Sequence, residues 1–80
     1  MTKAQRNKLL QNALDLLDQA YSLLEEASSE ENEALENWAE NLQESDRYYH
    51  AEERASIVED ACSNAEDLRD NIVSIINDDF

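Results

Sequence analysis

A chain of 80 residues carrying 20 acids against 6 bases, a net charge of −14, is a single domain with a thin core, and nucleic acid and anionic membrane surfaces repel it. Gly and Pro are both absent, which argues against turn-rich β folds and for helices joined by short polar links. The single cysteine, Cys62, excludes an intrachain disulfide and a cysteine-based metal site, and no apolar run approaches the ~20 residues of a membrane span.

The first helix is predicted over residues 3–27. Thr2 and Gln5 stand at capping-box spacing, so the hydroxyl can accept from a free backbone N–H while the Gln reaches back. Leu10, Ala13, Leu14, Leu17, Ala20, Tyr21 and Leu24 recur at helical steps and make one stripe. Leu9, Leu16 and Leu23 form a second row at strict heptad spacing. The resulting face is wider than one neighbouring helix covers. These three leucines are therefore the candidate self-association residues, and a homodimer is expected.

Ser28 and Glu31 repeat the capping-box spacing, so a short second helix is predicted over residues 29–42. Ala34, Leu35, Trp38 and Leu42 share its apolar face, opposite Glu33, Glu36, Glu40 and Glu44. Trp38 is expected to be at least half buried, pinning this helix to the others. Ser45 reads as the next N-cap, with Asp46 favourably placed at the positive end of a third helix over residues 46–77. Its stripe is Ala51, Ala55, Val58, Cys62, Ala65, Leu68, Ile72 and Ile76. The expected fold is all-α: one domain over residues 1–80, an antiparallel hairpin of two long helices with a short helix between them. Antiparallel pairing sets Lys3, Arg6 and Lys8 near Asp78 and Asp79.

No constellation for catalysis emerges. Asp46, His50 and Glu53 share a helical face, but one histidine falls short of a di-iron pattern, and a solvated helix surface explains the trio better. Cys62 has no base at helical spacing to activate it and reads as a packing residue. Without Gly there is no phosphate-cradling loop. The chain is expected to be no enzyme and to carry no cofactor or metal.

Charge is the sharpest feature. Residues 25–46 hold nine acids and no base. A 30-residue helix spans about 45 Å, so 14 net charges give about one per 3 Å, against one per ~1.7 Å in duplex DNA. Such a surface suits a basic groove. Glu30, Glu33, Glu36, Glu40, Glu44 and Asp46 would stand in for phosphates, with Arg47, Tyr48 and Tyr49 adding direct contacts. The alternative is a helical adaptor or self-associating module whose charge keeps it in solution. The expected partner is a basic protein surface of a nucleic-acid-binding protein, not nucleic acid itself and not a membrane. The first residues read as an amphipathic helix rather than a signal peptide, and the lone cysteine suits a reducing cytoplasm.

At Leu42-Gln43-Glu44-Ser45-Asp46-Arg47 the chain resembles small acidic helical proteins of phages and bacterial mobile elements. These share a Leu-rich first helix (here Leu9–Leu24), an acidic run ending in an aromatic residue (Glu25–Trp38) and an acidic final helix (Glu52–Ile76). The resemblance implies a phage-type accessory protein in the host cytoplasm, in a class where DNA mimicry and inhibition of host defence enzymes are common. It brings no functional residues across.

Overall fold

The computed structural model describes residues 1–38 and 45–78. Two helices pair antiparallel, α1 (Lys3–Glu36) and α2 (Asp46–Asn77), in a rod of 61 × 20 × 16 Å. No strand occurs among the described residues, and no described helix is long and apolar enough to cross a membrane.

The ends form as their local chemistry dictates. The Gln5 N–H donates to Thr2 Oγ1 (3.2 Å) and the Thr2 N–H to Gln5 Oε1 (2.8 Å), completing the capping box of α1. Ser45 caps α2 by accepting from the Tyr48 N–H at 3.2 Å, with Asp46 in the first turn. Asp78 closes α2 in the left-handed region at φ 57°, a conformation that Asp tolerates better than most residues. Its Oδ2 lies 2.6 Å from Lys3 Nζ, which ties the two terminal segments together as the charge pattern anticipates.

The break expected at Ser28–Ser29 is absent. Both serines lie inside α1, and residues 29–36 continue it without interruption. Trp38 lies just beyond the C-cap Asn37, its N–H donating to the Leu35 carbonyl at 3.2 Å. The rest of the expected second helix, residues 39–42, lies outside the described residues. The physical reason is phase. From Asn7 to Trp38, just past the end of α1, less exposed positions recur at 7, 10, 14, 17, 21, 24, 28, 31, 35 and 38 in steps of three and four, with Ala13 beside Leu14. Ser28 and Glu31 keep this seam in register, so stopping at Ser28 would forfeit contacts beyond it. An internal Ser costs only a few tenths of a kcal/mol of propensity.

The facing seam of α2 runs 48, 51, 55, 58, 62, 65, 69, 72 and 76. Three expected members leave their stripes, Ala34 among them, which is exposed. Ala20 is exposed, and Leu68 is 49% exposed; Arg69 holds the seam position instead and donates through Nε to Asp18. Counting back from Ile72 and Ile76 in heptads passes through 69, not 68. The core is correspondingly slight: Leu14, Ala55 and Ile72 are the buried apolar residues among those described, and none of them is completely enclosed. Cys62 sits on the seam, half-buried and unpaired with another cysteine.

Candidate interaction surfaces

The heptad seam divides the rest of each helix into flanks. In an antiparallel pair, like flanks meet. One shared flank carries Asp18 and Glu25 from α1 with Glu52, Glu59 and Glu66 from α2. Arg69 reaches Asp18 across it. The phenol of Tyr21 is held above its ordinary pKa by Glu25 first and Glu66 second, against the opposing pull of Arg69. Carboxylates from both helices thus crowd one edge of the hairpin.

The other flank is of opposite character. On α1 it carries Leu9, Ala13, Leu16, Ala20, Leu23 and Ala27 in alternation. On α2 it carries Ile57, Ala61, Leu68 and Ile75, broken by Asn64 and Asn71. Leu9, Leu16 and Leu23 are 56%, 67% and 66% exposed, and Ile57 is 60% exposed. The second row of leucines is therefore left mostly exposed by the hairpin, because α2 covers chiefly the seam. Of the 16 acids within α1 and α2, Glu30 alone belongs to these rows; Glu31 lies on the seam and the other 14 line the acidic edge and the outer backs. Random scatter of 16 acids would not empty one side of a rod in this way. Sequence reading found the leucine row but missed Ile57, Leu68 and Ile75, whose link to it is visible only once the two helices are paired.

At the turn end, Trp38 meets Tyr48 edge to face with ring centroids 5.6 Å apart, and Tyr48 meets Tyr49 at 6.2 Å. Trp38 and Tyr48 are half-buried, while Tyr49 is 54% exposed. An open groove beside them is lined by Trp38, Asp46, Arg47, His50, Ala51 and Arg54. Arg54 Nε donates to Glu31 Oε1 at 2.8 Å, bridging the two helices. Of the sequence-selected partner residues, Glu30, Glu33, Glu36, Asp46 and Arg47 are exposed, and Glu40 and Glu44 lie outside the described residues. Glu33 and Glu36 stand on the outer back of α1, whereas Glu30 stands on the apolar side, so these acids do not form one patch. Among the described residues no group of three or more His, Cys, Asp or Glu is placed to hold a metal ion. No protein-family model, no curated protein and no solved structure matches the chain.

Proposed function

We propose that the protein is a non-enzymatic, cytoplasmic binding protein of the phage-accessory type, an inhibitor that offers carboxylates to the basic groove of a nucleic-acid-binding or host-defence protein. The observation that carries this reading is the segregation of the helical acids onto the edge and backs of a 61 Å rod. Fourteen net charges over that length give about one per 4 Å, sparser than the one per ~1.7 Å of duplex DNA but of the same order. Glu33, Glu36 and Asp46, with Glu40 and Glu44, supply the charge of the turn end. Arg47 and Tyr49 add contacts, and Tyr48 supports Tyr49 from within the aromatic cluster.

The test is displacement of a labelled duplex from a non-specific DNA-binding protein. Wild type should compete at low salt and lose its effect as salt rises. Reversing Glu33, Glu36, Glu40 and Glu44 to Lys should abolish competition while circular dichroism stays helical. Undiminished competition by the folded four-Lys variant overturns the mimic reading.

A second reading, a self-associating helical module, draws on a different observation: the exposed Leu9, Leu16 and Leu23 row. It is compatible with the first, because all the helical acids except Glu30 and Glu31 lie on other sides than the leucines.

A further inference from the structure

The acid-poor side of the hairpin, with Glu30 its one helical acid, has an internal symmetry. Along α1 its rows read Arg6, Leu9, Ala13, Leu16, Ala20, Leu23, Ala27 and Glu30. Reversing that order about its midpoint exchanges each Leu for an Ala and the Arg for the Glu. A second α1 laid antiparallel would therefore set Leu9 against Ala27 of the partner subunit and Leu16 against Ala20 of the partner subunit. Arg6 would face Glu30 of the partner subunit. Large meets small in every layer, and one base of this side meets its one helical acid. The two rows also alternate as antiparallel knobs-into-holes packing requires, each residue of one row facing the other row across the interface.

From this we infer that two copies of the chain pair through this side, α1 antiparallel to α1 and α2 antiparallel to α2, in a four-helix bundle. The inference rests on the self-association reading and is independent of the mimic reading.

Three further observations support the arrangement. First, α2 brings its own apolar residues together at the ends of this face, while Asn64 and Asn71 fall between them. Within each hairpin, Lys3 meets Asp78, Glu31 meets Arg54 and Asp18 meets Arg69, and together these pairs set the approximate stagger of the helices. With that stagger, centring α1 between Leu16 and Ala20 centres α2 near residue 66. Ile57 then comes opposite Ile75 of the partner subunit, and both are exposed in the single hairpin.

Second, charge selects the orientation. The other two-fold arrangement would bring the turn ends together, where residues 25–46 hold nine acids and no base. The antiparallel one sets each acidic turn end over the Lys3, Arg6 and Lys8 end of the partner subunit, a segment with no acid before Asp15.

Third, the area suffices. From Arg6 to Glu30 is about 36 Å of helix, and with the 20 Å width of the hairpin this makes a footprint of about 700 Å², near the ~800 Å² per partner of a stable interface. No helical carboxylate except Glu30 is covered, so pairing adds charge to the rod without burying it.

The test combines mass and charge exchange. Light scattering and sedimentation of the full chain at high micromolar concentration should give a dimer mass. Leu16→Glu, at an exposed position away from the seam, should give a helical monomer by circular dichroism. Arg6→Glu and Glu30→Arg should each weaken the dimer about tenfold, since each turns two symmetry-related attractions into repulsions. The double variant Arg6→Glu/Glu30→Arg should regain wild-type affinity. A monomeric wild type overturns both the self-association reading and this interface. A dimer that survives Leu16→Glu overturns the face. A dimer that Leu16→Glu dissociates, but which the double exchange fails to restore, overturns the antiparallel register alone and leaves self-association standing.

Discussion

Tyr48 meets Trp38 edge to face across the chain connection, with a centroid separation of 5.6 Å and an interplanar angle of 76°. This is the contact that closes the turn end, where the seam of α2 otherwise offers only small residues, Ala51 and Ala55. Edge-to-face aromatic pairs add to the burial of their own area. Trp38→Ala should lower stability by about 2 kcal/mol, less than the 3–5 of a fully buried aromatic because Trp38 is only half-buried. Urea denaturation followed by far-ultraviolet circular dichroism measures this. A loss below experimental error would show that the aromatic cluster does not hold the turn end.

Ser28 occupies a seam position in the middle of a continuous α1. Its short polar side chain covers less apolar area there than a Leu would. Ser28→Leu should raise stability by about 1 kcal/mol, as cavity-filling substitutions commonly do, with a higher melting temperature. The sign is decisive. A Ser that capped a separate helix would lose its cap on becoming Leu, and the melting temperature would fall.

Tyr21 gives a pH signature. Its raised pKa, caused first by Glu25 and next by Glu66, means that the folded chain keeps the phenolic proton at a pH where the unfolded chain has begun to release it. Below the ordinary value of 10.0 both states hold the proton, and the contribution to stability is fully present. It is lost as pH rises through the folded value. Melting temperature should therefore fall above about pH 10, and Tyr21→Phe should flatten that part of the profile. Titration of tyrosinate absorbance, wild type against Tyr21→Phe, should assign a late-ionising phenol to Tyr21. If the variant loses stability with the same slope, Tyr21 is not its source.

Much of the fold was readable before the helices were paired. The Thr2 and Ser45 caps, the span of α2 and the meeting of Lys3 with Asp78 all follow from local spacing and charge. The continuity of α1 was not readable from apolar pattern. Its seam passes through Ser28 and Glu31, polar residues that hide the phase, and their Ser-x-x-Glu spacing imitates a helix start. Local pattern likewise favoured Leu68 over Arg69 for the α2 seam, although Arg69 keeps the heptad and finds Asp18. The acidic character of the turn end was plain in the sequence. The emptiness of the opposite side was not, because it requires knowing that the two flanks of an antiparallel pair are shared.

The two large side chains that the hairpin buries most completely, Leu14 and Ile72, come from opposite ends of the sequence. Their neighbours on the seam, Leu10, Leu17 and Ile76, thicken the same region, whereas toward the turn the seam of α2 offers Ala51 and Ala55 between Tyr48 and Val58. The larger buried aliphatic side chains of the hairpin thus lie toward its chain ends, while in the turn half the buried residue is the small Ala55. Positions 14 and 72 stand nearly sixty residues apart, so packing in this half is far less local than packing beside the turn, and the rate should be slow for so simple a helical topology. Hydrogen exchange should follow the same logic, with amides flanking Leu14 and Ile72 protected longest and opening spreading inward from the turn.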